Sequence, residues 1–233
     1  ILKNAFGYWS AGMKFNLLYS LLYFSLITVF AQFLLKFFGV EPQLTAFTEK
    51  VLQTPKFDPV GIEQELQKIF LTEEFQLFKV AMVFFFFFFF PMNIGFMHIY
   101  QKYDNNEPIE ILDFFHGYDG INFFKYFSYA VSWGMIYNFA QNYSLLAVVW
   151  ILGTLFVAPL LFFRNERLGI ALVESFKAFF RNFVLILICG SVALAFKFSG
   201  ILLLVGFLFT FPFWNPMIYA LYKVIFPNPT PNP

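Results

Sequence analysis

A single cysteine, Cys189, stands in the 233 residues, so no internal disulfide, thiolate metal cage or CxxC redox pair can form. Charge is also scarce. Asp, Glu, Lys and Arg make up 12% of the chain, 15 basic against 14 acidic, for a formal net charge of +1, where soluble domains carry about 25%. No basic face is available to neutralise phosphates, which excludes nucleic acid as a partner. HExxH, GxSxG and Walker phosphate loops are missing, and with them the signatures of zinc hydrolysis, serine hydrolysis and nucleotide binding. Nothing implies a cofactor. What the chain has in excess is apolar surface: 60% of residues are hydrophobic, 40 of them Phe, and the mean hydropathy is +0.68. A water-soluble globule of that composition would need a core with almost no surface around it. A polytopic membrane protein would not.

The charges punctuate the chain. Phe15 to Leu35 is an uncharged run of 21 residues, enough to cross a core of about 30 Å at about 1.5 Å per residue. Val80 to Met97 is a second run, with seven consecutive phenylalanines from Phe84 to Phe90. The 38 uncharged residues between Lys125 and Arg164 suit two crossings, with a turn at Asn138 to Ser144. Phe183 to Phe196 is short, so its helix should begin in the stretch before it. Ile201 to Tyr222 completes the set. The reading is an all-α membrane helix bundle of six spans, about 15–35, 78–99, 124–139, 145–163, 182–197 and 201–223, forming one transmembrane domain over 1–226. The first span is too long for a signal-peptide core and no small-residue cleavage site follows it. Lys and Arg concentrate on one side, with Lys3, Lys14, Lys102, Lys125, Arg164, Arg167, Lys177, Arg181 and Lys223 against Lys36, Lys79 and Lys197. That bias predicts both termini in the cytoplasm.

Between the first two spans, 41–76 is a polar insertion on the outer side. Asp58-Pro59 and Thr72-Glu73-Glu74 are helix starts, and Ile62, Leu66, Ile69 and Phe70 are spaced as one apolar face of a short helix. An apolar stripe outside the bilayer must be covered, either by the outer ends of the spans, by the headgroup region or by a membrane-protein partner. The tail 227–233 alternates proline with Asn and Thr and should be extended.

A threefold plan runs through the chain: an amphipathic entry helix, a span, a turn, and a returning span that holds a proline. Phe6-Gly7-Tyr8-Trp9, Phe115-His116-Gly117-Tyr118 and Phe176-Lys177-Ala178-Phe179 mark the entries, and Pro91, Pro159 and Pro212 mark the returns. Asn93 precedes Tyr100 by seven residues, as Asn215 precedes Tyr222. The amphipathic inner helices are expected at 108–116, stopped by Gly117, and at 170–181, where Glu174, Lys177 and Arg181 form a polar stripe. The stretch Pro91-Met92-Asn93-Ile94-Gly95-Phe96, the polar link Lys102-Tyr103-Asp104-Asn105-Asn106, Pro108-Ile109 and Asp113-Phe114-Phe115-His116-Gly117-Tyr118 resemble a broad group of uncharacterised bacterial six-span membrane proteins. Related modules are the membrane domains found beside glycerophosphodiester phosphodiesterase domains. The resemblance implies a fold and a membrane, and no activity.

Glu110, Asp113, His116 and Asp119 are spaced by three, with His98 upstream. Carboxylate and imidazole on one helix face could bind a divalent cation, but the simpler reading is the wet stripe of an interfacial helix, and no metal site is assigned. Asn93, Asn215 and Gln32 are amides in or near spans. With His98, Asn93 and Asn215 could line a substrate path; alternatively they bond neighbouring helices and carbonyls freed by proline. No acid or base lies deep in a span, which argues against an ion-coupled pump. The reading that follows is a bacterial inner-membrane protein, non-enzymatic, acting as an accessory or scaffold subunit of a membrane protein complex. The alternative is a transporter or lipid-handling protein with its path near Asn93 and Asn215.

Overall fold

The computed structural model describes residues 1–53, 59–203 and 205–227. The protein is all-α: among the described residues there is no strand. In chain order the helices are α1 (Leu2–Ala11), α2 (Met13–Phe37), α3 (Glu41–Gln53), α4 (Pro59–Phe70), α5 (Glu73–Asp104), α6 (Gly120–Ala140), α7 (Ser144–Gly153), α8 (Val157–Phe163), α9 (Leu168–Arg181), α10 (Phe183–Ser199), α11 (Gly206–Thr210) and α12 (Trp214–Ile225). Short 3-10 helices cover Ile111–Tyr118, Gly200–Leu203 and Phe211–Phe213. Four stretches, Met13–Phe37, Glu73–Asp104, Ser144–Phe163 and Phe183–Leu202, are long and apolar enough to cross a membrane.

Several expected boundaries hold. Thr72 precedes α5, where its hydroxyl accepts the Phe75 N–H at 3.3 Å, satisfying one of the amides that a helix start leaves open. The turn between α6 and α7 falls at 141–143. Others move. The helix expected over 108–116 is a 3-10 helix at Ile111–Tyr118, and Gly117 lies inside it instead of ending it. α10 does not grow out of α9, because Asn182, at φ −120° and ψ 30°, breaks the chain between them. The last span is not one helix: 200–225 is cut into the 3-10 turns, α11 and α12. Gly200, Gly206, Pro212 and Pro216 explain the cuts, since proline removes a donor and glycine weakens the helix. The Asp58 helix start and the 228–233 part of the tail lie outside the described residues.

The chain forms two compact units, one of Ile1–Leu22 with Phe87–Pro233 and one of Tyr23–Phe86. In the first unit the core is large and aromatic, with Phe96, Phe114, Phe156 and Phe213 at 0% exposure. Backbones approach closely where glycine permits. A Cβ on Gly95 would overlap the carbonyl of Phe114, and one on Gly117 would overlap the carbonyl of Pro91. The 3-10 helix therefore beds directly on α5 through two reciprocal glycine contacts.

In the second unit, Phe30 stacks on Phe85 at 4.0 Å between centroids, and Lys50 pairs with Glu65 at 3.3 Å to link α3 to α4. Neither α3 nor α4 contains a buried residue. On the expected apolar face of α4, Ile62, Leu66 and Ile69 are half-buried and Phe70 is exposed.

Candidate functional site

The entry segments and the proline breaks meet inside the first unit in a repeated way. The Tyr118 hydroxyl donates to the Phe88 carbonyl at 2.7 Å. The Trp9 indole N–H donates to the Phe209 carbonyl at 2.9 Å. The Ser175 hydroxyl accepts the Phe156 N–H at 3.1 Å and donates to the Gly153 carbonyl at 2.7 Å. Phe88, Phe156 and Phe209 each sit three residues before a proline, Pro91, Pro159 and Pro212. A side chain from an entry segment binds the turn before the proline each time, one residue after the carbonyl at i−4 that the proline itself leaves open. The pairing is cyclic, because each entry segment serves the return of the repeat before it and the first one, α1, serves the last return.

At the ends of these helices the charged side chains form three clusters. Asp104, the last residue of α5, accepts the Tyr8 hydroxyl at 2.8 Å, the Tyr219 hydroxyl at 2.7 Å and the Lys223 ammonium at 2.7 Å. One carboxylate thus ties α1, α5 and α12 together. Burial, and then the Asp104 carboxylate, push the Tyr8 hydroxyl well above its usual range, so it stays a donor.

The second cluster gathers the histidines. His98 and His116 stack with ring centroids 4.2 Å apart. His98 Nε2 lies 3.3 Å from Asp113, and His116 Nδ1 lies 3.0 Å from Asp119. Asp113 also accepts the Lys102 ammonium at 2.8 Å and the Glu110 backbone N–H at 2.7 Å. Burial pushes the Asp113 carboxyl up, but the Lys102 bond and the Glu110 N–H outweigh it and hold the carboxyl below its usual range. Of the residues spaced by three in the sequence, Asp113 and His116 meet His98, Asp119 serves His116, and Glu110 contributes its backbone. Among the described residues, no three His, Cys, Asp or Glu side chains converge to hold a metal.

In the third cluster Arg164 lies 3.2 Å from Glu174 and 3.6 Å from Glu166.

The amides fare differently from the histidines. The Asn93 side chain turns back on its own helix and donates to the Phe90 carbonyl at 3.1 Å. Asn215 is buried, and Gln32 is exposed. No hydrogen bond joins Asn93 to Asn215 or either to His98 among the described residues. Sequence reasoning missed the Asp104 cluster, whose members lie far apart in the chain. It also missed the Phe-x-x-Pro pattern at 88–91, 156–159 and 209–212, which is legible in the sequence.

The fold and these clusters define a helical protein with four membrane-competent helices. No family model, curated protein or solved structure matches the chain.

Proposed function

We propose that the protein is a multi-pass inner-membrane protein of bacterial type, non-enzymatic, that serves as an accessory or scaffold subunit of a membrane protein complex. The observation that carries this reading is the cyclic clamping of the three proline breaks. The side chains that could have faced a substrate path at Phe88, Phe156 and Phe209 are used on the protein's own backbone. Such a bundle is suited to holding a shape and presenting surfaces. The likeness of 91–118 to the six-span bacterial group belongs to the same proposal. So does the six-span topology with both termini in the cytoplasm, which rests on the Lys and Arg distribution.

Two experiments test it. Cysteines introduced at residues 60 and 105 should label from opposite sides of intact cells, and same-side labelling would overturn the topology. The Ile62, Leu66, Ile69 and Phe70 face is the proposed partner contact, supported by the lack of any buried residue in α4. Replacing 45–72 with a Gly/Ser linker should remove a co-purifying protein in mild detergent while thermal stability holds. Lost stability with no change in co-purification would mean that the face packs internally.

A transport or lipid-handling reading keeps one specific support. Asn16 Oδ1, Ser20 Oγ and the Tyr100 hydroxyl are buried in residues with 0% exposure and have no hydrogen-bond partner among the described residues. Such groups ordinarily find one. Uptake into vesicles that depends on Asn16 and Ser20 would favour this reading over the scaffold.

A further inference from the structure

We infer that α9 carries a binding surface for anionic phospholipid headgroups, an inference that rests on the membrane reading above. The helix divides into three faces. Ala171, Ser175, Ala178 and Phe179 are buried in the first unit. Beside them, Val173 and Phe180 are 53% and 67% exposed, an apolar flank with no protein over it. Next around the helix come Lys177 and Arg181, with Arg167 just before the first turn, all exposed. At 100° per residue these cations occupy one arc that adjoins the apolar flank.

Charge complementarity selects the occupant. The one acid on the arc, Glu174, is already paired with Arg164 at 3.2 Å. Among the described residues, none of Arg167, Lys177 and Arg181 pairs with a carboxylate. Three uncompensated cations therefore border an exposed apolar strip. A soluble acidic partner would leave Phe180 and Val173 in water. A lipid satisfies both halves: its chains cover the strip and its phosphate meets the ammonium and guanidinium groups. The chain turns at Asn182 straight into α10, one of the membrane-competent helices, which holds the arc at headgroup depth. The contrast with the 3-10 entry segment is informative. There, Glu110, Asp113 and Asp119 make the polar face acidic, so the preference belongs to α9.

The test uses the full chain reconstituted in vesicles of equal phosphatidylglycerol and phosphatidylcholine, extracted in mild detergent, with the retained lipid quantified. Each cation near an anionic surface favours association roughly fivefold. Wild-type protein should therefore retain several times more phosphatidylglycerol than phosphatidylcholine, and 0.5 M salt added as a screen should erase the excess. The K177Q/R181Q double variant, left with Arg167 alone, should lose most of the excess, while K177R/R181K should keep it. Retention at the bulk ratio by the wild type, or an excess unchanged in K177Q/R181Q, overturns the inference alone, with insertion intact. Failure of the wild type to insert into these vesicles overturns it together with the membrane reading.

Discussion

The two units have similarly apolar compositions and very different interiors. In the first, helices close to backbone contact, as at Gly95 against Phe114, Gly117 against Pro91, and Gly200 against Gly206. In the second, Phe33, Phe37 and Phe84 are 57%, 69% and 50% exposed, although the phenylalanine run begins there. Density of aromatic residues does not build a core. Glycine and small residues do, by letting backbones approach until the aromatic rings between them are covered. The phenylalanines of the second unit have apolar surface to offer and few elements to place it against.

That contrast can be broken most directly by truncating one ring in each unit. Phe96 is fully buried among Tyr19, Tyr100 and Phe114, and Phe96→Ala should cost about 3–5 kcal/mol, as buried aromatic truncations do. Phe33→Ala should fall within about 0.5 kcal/mol, the usual range for exposed positions. Thermal unfolding in one detergent measures both. Equal losses would mean that exposure in the second unit does not reflect its packing.

The glycine contacts sharpen the same point. Gly95→Ala or Gly117→Ala drives a methyl into a backbone carbonyl that no rotamer change can move away, so the cost should reach about 3 kcal/mol, the upper part of the range for overpacking. Gly7 and Gly169 have open space where a Cβ would stand. Alanine there should be neutral or stabilising by up to about 1 kcal/mol, because it favours the helix. Comparable stabilisation at all four sites would show that helix propensity, and not close approach, decides them.

Asp104 comes next in size. Asp104→Ala strands two tyrosine hydroxyls and the Lys223 ammonium that share one carboxylate, and should cost about 2–3 kcal/mol. Asp104→Asn keeps an acceptor and should cost about 1 kcal/mol less. If the two variants unfold together, charge on Asp104 is the whole of its role and the hydroxyl bonds contribute nothing.

The all-α class, the Thr72 helix start and the turn at 141–143 were legible because they are local: they need a capping oxygen, a polar run and an apolar period. The 108–116 segment misled because its helical spacing is real while its geometry answers to a distant surface. There the 3-10 segment lies with Gly117 against Pro91 and Phe114 against Gly95, contacts that helical spacing does not encode. The last span misled because length and hydropathy are blind to Pro212 and Pro216 acting together with two glycines. The Asp104 cluster was out of reach for a plainer reason. Tyr8, Asp104 and Tyr219 meet across separations that no periodicity encodes. The spacing brings His98 and His116 into one polar group, read as the wet stripe of an interfacial helix with no metal assigned, and it does not encode the ring stacking that joins them.

The smallest effect concerns Glu166, in the turn between α8 and α9. Its side chain is 16% exposed, and its Oε2 accepts no hydrogen bond among the described residues. Burial, and then the neighbouring Glu174 carboxylate, push its carboxyl above the usual range, with Arg164 opposing them. A carboxyl raised by folding favours the folded state while protonated. Its contribution is fully present below the unfolded value of about 4.3 and is lost as pH rises through the folded value. Asp113 has the opposite sign. Its depressed carboxyl supports the fold above the ordinary carboxylate range and withdraws that support as pH falls through its folded value. Glu166→Gln removes the ionisation and keeps the shape. At pH 4 the variant should unfold with the wild type, and at pH 8 it should be more stable, by about 1 kcal/mol or less given how much Arg164 already offsets. A variant less stable than wild type at pH 8 would show that the Arg164 pairing outweighs burial at Glu166.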